Sequence, residues 1–446
     1  MIVETARRVQ GPDFAPPTVI CNNHHRFLVA AAFQQAEINP RAILLEPVAR
    51  NTGAAIAAAA MQIHKNDPEA WVLVLPSDHY IQLTKQFQKT IKQAIPTVKK
   101  GYLATFSIQP DAPETGYGYI RHGEKLTGDH HFYKVTHFKE KPNRETAQSY
   151  LDAGCYSWNA GIFFASARVL VDQFQTHCLD LYEPVKEAVA AINEDLDFLR
   201  LGQSFAEAPD IAFDYAVMEH TEKAIVQPLS VGWSDIGTWD RLWEISEKTG
   251  SGNVFRGQVC GLDLENCYLR SDQHDLLLAA IGLKDIVAVA SDNVVMVAKK
   301  SEAQRVRDLL KAINNNKQKQ FKQSALSRQP WGYSRVVKAA DQFSAKEVMI
   351  KPGYQTATQI HKKRSEHWVI LKGVAEVTID GQTMTIQKGQ SAHIPTNSPH
   401  SLSNRGTEPL IIFEVQAGEI SPDDIIRIER MDKGEPESSA TRKSSP

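Results

Sequence analysis

No stretch of this 446-residue chain stays apolar long enough to span a bilayer, and its first ten residues, MIVETARRVQ, hold no apolar core of a secretion signal. Net charge is nearly absent as well. Fifty Lys and Arg stand against 52 Asp and Glu, with no basic, aromatic-interleaved stretch, which argues against a nucleic-acid surface. Cysteine is scarce: five, odd in number and scattered, they form neither a disulfide framework nor a zinc ribbon and suit a reducing compartment. No strong internal repeat is present. These absences make a soluble, cytoplasmic protein the expectation, without membrane or nucleic-acid partners and with chain enough for two or three domains of roughly 100–200 residues each.

Two short blocks near the C-terminus carry the most specific signal. GYQTATQIHKKRSEHWVILKG (Gly353 to Gly373) places Gln359, His361 and Glu366 in one hairpin, and GQSAHIPTNSPHSLSN (Gly389 to Asn404) adds His400. Side chains alternate along a strand, so Gln359 and His361 point the same way, with Glu366 following around a turn. Two imidazoles, a carboxylate and an amide oxygen suit a divalent ion such as zinc and leave room for water or substrate. A single His on an apolar strand is ordinarily a core residue. Here two His, one Glu, the bracketing glycines and the Pro395 turn fall in register, and the spacing resembles the cupin signature, with Gln359 where many members have His.

The first half reads differently. PTVICN (Pro17 to Asn22), AILLEP (Ala42 to Pro47) and WVLVLPSDH (Trp71 to His79) are strand-like, and NTGAAIAAAAMQI is a small-residue helix opened by Asn51 or Thr52. Such alternation predicts crossover units and a parallel sheet with helices on both faces, its ligands beyond the carboxyl ends of strands, where Asp78 falls. Arg50 stands beside a helix N-terminus whose amides favour an anion or a polar base edge. PETGYGYI (Pro113 to Ile120) is a turn in which Gly116 and Gly118 let backbone approach a ligand. HFKEKPN puts Glu140 beside Lys141, YSWNAGIFF offers Asn159 before Gly161, and VGWSDIGTW offers a second carboxylate, Asp235. After about Arg241 short strands suggest an all-β connector of stacked hairpins or coils. Ser301 to Lys322 reads as one charged helix leading to a barrel from about Ser324, and the polar tail from Asp432 reads as disordered.

Taken in order, the segments LEPVARNTGAAI, LPSDH, PETGYGYI, FKEKP, WNAGIF and VGWSDIGTW resemble the mannose-1-phosphate guanylyltransferases, and QIHKKRSEHW extends the likeness to the bifunctional guanylyltransferase/mannose-6-phosphate isomerases, over about nine-tenths of the chain. The resemblance implies an α/β nucleotidyltransferase with a Rossmann-like mixed sheet, a small all-β connector and a C-terminal cupin β-barrel. The corresponding boundaries are 1–245, 246–323 (connector and linker helix), 324–431 and a tail at 432–446. It implies Asp78 and Asp235 as magnesium ligands, Arg50, Asn51 and Thr52 near the nucleotide base, and Gly116, Gly118, Glu140, Lys141 and Asn159 around the sugar. In the barrel it implies zinc or another divalent metal on Gln359, His361, Glu366 and His400, with Arg364 as the catalytic arginine. GTP, mannose-1-phosphate and mannose-6-phosphate are the implied small-molecule partners, and homo-oligomer formation stays open.

Three features depart from the family pattern. No G-G-x-G-x-R-L-W-P loop or P-K-Q-F precedes MIVETARRV, so an N-terminally truncated nucleotidyltransferase domain with an exposed strand edge or a gap in its core is expected. Ser401 stands where the family has Arg after the last His, and SPDD from Ser421 replaces Y-L-G-E-D-D. Three readings remain open at this level: both activities, isomerase alone, or a non-catalytic sugar-nucleotide and metal-binding homologue.

Overall fold

The computed structural model describes residues 1–128, 131–195, 198–273, 276–291, 294–315, 326–420 and 424–427; the polar tail from Asp432 and the end of the linker helix lie outside the described residues. The chain divides into two compact units, Met1–Glu247 and Lys248–Pro446. No described helix is long and apolar enough to cross a membrane.

In the first unit the helix Asn51–Asn66 has its small residues Ala54, Ala57, Ala58 and Ala60 fully buried. With alanine at most positions of that face, beside Met61, it packs on the helices Ala167–His177 and Leu179–Ala190. The strands form a mixed arrangement. Thr18–Asn22, Ala42–Glu46 and Phe198–Arg200 pair in parallel, whereas Trp71–Val74 belongs to a separate six-stranded sheet and runs antiparallel to Tyr156–Ser166. The mixed arrangement is the one the family resemblance implies, and the parallel sheet read from the alternation of elements needs correction: an apolar run reports burial on both faces, and buried antiparallel strands have the same pattern.

Tyr156–Ser166 is the hub of this unit. It pairs with Trp71–Val74, Leu103–Ile108 and Tyr119–Lys125, which brings three chain segments to the residues around Asn159. Gly161 breaks its regularity with φ +65°, and the register with Leu103–Ile108 shifts between Thr105 and Ser107. A glycine in a strand interior commonly marks such a bulge or a close backbone approach. Here His79 Cε1 and Pro76 Cγ lie 3.4 and 3.6 Å from where a Cβ would be, so the loop after Trp71–Val74 rests against this point.

The second unit begins with a coil of short strands. Val254–Arg256, Tyr268–Ser271 and Ile286–Ser291 stack in parallel register, as do Val259–Leu262 and Leu278–Ile281, so coils rather than hairpins make up most of the connector. A 3-10 turn, Lys300–Arg305, and the helix Val306–Asn315 follow. From Leu326 onward a six-stranded and a five-stranded sheet share one core that includes Val348, Trp368, Ile370, Val377, Leu402 and Ile412. This is the expected cupin-like barrel.

Gly53 ties the small-residue helix to the segment before Asp214. Its amide donates to Ile211 O at 3.1 Å, and a Cβ would sit 2.6 Å from that oxygen. Gly53→Ala is therefore expected to lower stability by about 1–3 kcal/mol, as overpacking against backbone does, measured as a reduced urea midpoint; an unchanged midpoint would contradict this packing.

Candidate active and metal sites

A two-residue ribbon joins the two acids of the first unit. Tyr80–Ile81 pairs antiparallel with Trp233–Ser234, Ser234 opposite Tyr80, so that the residues just beyond the paired ends are Asp78 and His79 on one chain and Asp235 on the other. Gln82 and Leu83 amides fix the ribbon by donating to Val231 O and Gly232 O. His79 Nδ1 accepts from Trp233 Nε1 at 3.2 Å. Burial lowers the His79 pKa against the opposing pull of Asp78 and Asp235, so the ring is neutral and feels both carboxylates. Tyr117 donates to Asp235 Oδ1 at 2.8 Å, and burial together with that carboxylate raises the phenol far above its usual range. Ile236, next in line, is held at φ +46°, a strained conformation for a β-branched residue of the kind that concentrates at functional sites.

The sugar-side candidates converge on the same place. Asn159 N donates to Gly118 O at 2.7 Å, and Lys141 N to Tyr117 O at 3.1 Å. A Cβ on Gly118 would lie 2.5 Å from Glu140 Oε2 and would displace that carboxylate, whereas Gly116 sits in an exposed turn with open space around it. Lys141, itself at φ +45°, places Nζ 3.0 Å from Glu140 Oε1. Asn159 Oδ1 accepts from Thr105 Oγ1 and Gly161 N, and its Nδ2 donates to Asp214 Oδ1 at 2.8 Å. A cleft of about 320 Å³ lined by Tyr117, Trp158, Trp233, Gln82, Asp111 and Arg241 adjoins these residues.

Asp214, absent from the sequence candidates, opens a π-helical turn, Asp214–Met218, of the kind frequent at functional sites. Burial and the nearby Glu140 carboxylate push its pKa up to about 7. Glu46, at the end of Ala42–Glu46, is likewise pushed up to about 7 by burial, and no ion pair is found for it among the described residues. Arg50, Asn51 and Thr52 form a different group. Arg50 Nε donates to Ala206 O at 3.1 Å, Asn51 Oδ1 accepts from Thr52 N, and Thr52 Oγ1 accepts from Phe213 N at 3.0 Å. Two of the helix amides expected to face a ligand, those of Thr52 and Gly53, thus already have protein acceptors.

In the barrel the structure brings His361, Glu366 and His400 together, with ligand atoms all within 4.8 Å of one another. His361 Nε2 lies 3.0 Å from Glu366 Oε1, and His400 Nε2 lies 3.7 Å from Glu366 Oε2. Gln359 is opposite His400 in the register and lies on the same strand as His361. Burial alone would raise the Glu366 pKa; hydrogen bonding and charge from His361, with His400 and Arg364, overcome it and hold the group at about 2. Burial lowers the His400 pKa, and its Nδ1 donates to Ser398 O at 2.9 Å. The lone pair of His400 Nε2 is then buried with no hydrogen-bond partner among the described residues. An orphaned buried imidazole nitrogen beside an ionised carboxylate fits a divalent metal, since leaving that nitrogen unpaired is costly.

Arg364 brings positive charge to the same cluster, with Nε 3.4 Å from Glu366 Oε1 and Nη2 3.3 Å from His361 Nε2. Asp424 holds this arrangement. Its Oδ1 accepts from the amides of Lys362 and Lys363 at 2.9 and 3.0 Å, its Oδ2 lies 3.4 Å from Arg364 Nη1, and its carbonyl oxygen lies 3.4 Å from His361 Nδ1. The strand Ile425–Arg427 then pairs with Gln359–His361. Gln416 Nε2 donates to both Glu366 Oε1 and Glu414 Oε1, at 2.9 and 2.6 Å. Burial, with Glu366 nearby, pushes Glu414 up to about 7.

A nucleotidyltransferase joined to a β-helix and a cupin-like isomerase domain is the class that this fold and these sites define. Family models agree: Nucleotidyl transferase matches residues 1–252, the MannoseP isomerase/GMP-like beta-helix domain residues 257–313, and Mannose-6-phosphate isomerase C-terminal residues 314–430. A mannose-1-phosphate guanylyltransferase of Klebsiella pneumoniae is 40% identical, covering 96% of this chain and 91% of the relative. One from Escherichia coli K12 is 38% identical over 96% of this chain and 90% of its own length. Among solved structures, a Thermus thermophilus protein described as a mannose-1-phosphate geranyltransferase superposes with a TM-score of 0.59 at 26% identity, covering 70% of this chain and 89% of the other. The chain belongs to the mannose-1-phosphate guanylyltransferase family of nucleotidyltransferases.

Asp424→Ala should weaken divalent-metal affinity about 10–100-fold, read by competition with a chromogenic chelator; unaltered affinity would remove Asp424 from the support of the cluster. Asp214 has a pKa raised from 3.8, so it favours the folded state fully below that value and loses this contribution as pH rises through about 7. Asp214→Asn should lack that part of the pH dependence, so its urea midpoint relative to wild type rises between pH 5 and pH 8. A constant difference between the two proteins would contradict the shift.

Proposed function

We propose that the first unit forms GDP-mannose from GTP and mannose-1-phosphate with release of pyrophosphate. The observation that carries this reading is the ribbon that sets Asp235 beside Asp78 and His79, next to the Gly118, Glu140, Lys141 and Asn159 cluster. Asp78 and Asp235 would hold magnesium, which when bound offsets negative charge on the nucleotide phosphates. Lys141 meets the sugar phosphate while Glu140 accepts from sugar hydroxyls. Asn159 has both acceptor contacts taken by Thr105 and Gly161, so it offers the sugar its second amide hydrogen. Tyr117 keeps its proton and orients Asp235. A phosphate oxygen of mannose-1-phosphate attacks the α-phosphorus of GTP, and positioning with charge neutralisation carries the step without a protein nucleophile. The segment Arg50 to Thr52 shapes the nucleotide end through its hold on residues 206–213.

The orphaned His400 Nε2 favours a second activity in the barrel, interconversion of mannose-6-phosphate and fructose-6-phosphate. Gln359, His361, Glu366 and His400 would hold zinc or another divalent ion, whose chemistry when bound is that of a Lewis acid. Arg364 supplies a fixed positive charge for the oxyanion that develops when a proton leaves carbon.

Asp235→Ala is expected to lower magnesium-dependent GDP-mannose synthesis by about a thousandfold, followed by pyrophosphate release; wild-type turnover would exclude Asp235 from the site. His361→Ala should deplete bound metal and isomerase activity together while GDP-mannose synthesis continues, and retention of both would refute the barrel assignment.

A further inference from the structure

An aldose–ketose isomerase must move one proton between neighbouring carbons, and a side chain whose lone pair holds a metal is poorly suited to that task. Three carboxylates are buried in the barrel among the described residues: Glu366, Asp424 and Glu414. Glu366 belongs to the metal-ligand cluster. Asp424 accepts two backbone amides and faces Arg364. Glu414 is differently placed: among the described residues its side-chain partners are Gln416 Nε2 at 2.6 Å and Lys346 Nζ at 3.7 Å. The same Gln416 nitrogen donates to Glu366, so one amide spans the ligand cluster and this second carboxylate.

Register and exposure point the same way. Glu414 lies opposite Trp368 on one neighbouring strand and Lys346 on the other, and Gln416 lies opposite Glu366. Side-chain exposure rises from 1% at Glu366 to 11% at Glu414 and 23% at Lys346, so Glu414 stands between the buried ligand cluster and the more exposed ammonium. A carboxylate that is partly reachable, held by an amide and an ammonium, and one residue row from the ligand cluster has the placement a proton carrier needs.

We propose that Glu414 is the base that carries the proton between C2 and C1 of the hexose phosphate, with Lys346 holding its carboxylate in place. This assignment rests on the isomerase reading of the barrel. In the open-chain aldose, Glu414 removes the proton from C2; the C2–H pair forms the C1=C2 bond, and the carbonyl pair moves to O1. The O2 hydroxyl proton passes to O1 as C2=O2 forms, and Glu414 returns its proton to C1. Protons and electrons balance within the substrate and one carboxylate, with no oxidant or reductant.

The test uses the full chain loaded with zinc and compares wild type, Glu414→Gln and Glu414→Asp. For Glu414→Gln, metal content by mass spectrometry, melting temperature and GDP-mannose synthesis should match wild type, while kcat for mannose-6-phosphate isomerisation falls about 100-fold to 10,000-fold and deuterium uptake at C2 from D2O disappears. Glu414→Asp, which keeps a carboxylate, should recover part of the exchange. A Gln variant that isomerises within about threefold of wild type overturns the proposal, as does one that loses its metal, which would make Glu414 structural. Should metal-loaded wild type itself fail to isomerise, the reading of the barrel fails and this assignment with it; an active wild type beside an active Gln variant rejects Glu414 alone.

Discussion

Four backbone positions bring Asp78 and Asp235 to one end of the first unit's candidate site: the antiparallel pairing of Tyr80–Ile81 with Trp233–Ser234. Asp78 and Asp235 lie more than 150 positions apart in the chain, and both carboxylates act on His79. The ribbon brings them to one end by pairing the chain next to them, with Gln82 and Leu83 anchored on Val231 and Gly232 and the His79–Trp233 contact closing that end. Everything else at this site is placed relative to that fixed pair. Tyr117 reaches Asp235 from the glycine turn, and Gly161 lets the Asp78 loop lie against the central strand beside Asn159.

The two sites handle charge in opposite ways. Asp78 is exposed and Asp235 half-buried, so each carboxylate stays hydrated at little cost. In the barrel, by contrast, Glu366 is 1% exposed and ionised, which is sustained by His361, His400, Arg364, Trp368 and Gln416 arrayed around it. Such a cluster is preorganised for a cation that makes no demand on solvent, and Asp424 supplies the outer shell that fixes the ligand hairpin.

Much of this was legible in the residues. Strand alternation gave a direction to His361, the spacing of the two blocks added Glu366 and His400, and these three side chains do come together. The domain order also followed from motif order. Sheet direction did not: the run Trp71–Val74 is apolar whether its neighbour is parallel or antiparallel, and only tertiary pairing shows the latter. Asp214 was missed because a π-helical turn has no hydrophobic period, and its approach to Asn159 depends on how Gly53 pins the preceding segment. Asp424 was noted as part of an altered motif without a role, since its partners are backbone amides more than sixty positions away and carry no side-chain signature.

Binding of Mn2+ with GTP, followed by electron paramagnetic resonance in wild type, Asp78→Asn, Asp235→Asn and the double variant, tests most directly whether the two acids share one cation. Shared coordination predicts that each single change weakens the complex strongly and that the double variant is little weaker than either, because the first loss already dismantles the site. Additive losses, or a variant that binds the ion as wild type does, would mean that the ribbon brings Asp78 and Asp235 together for some other purpose.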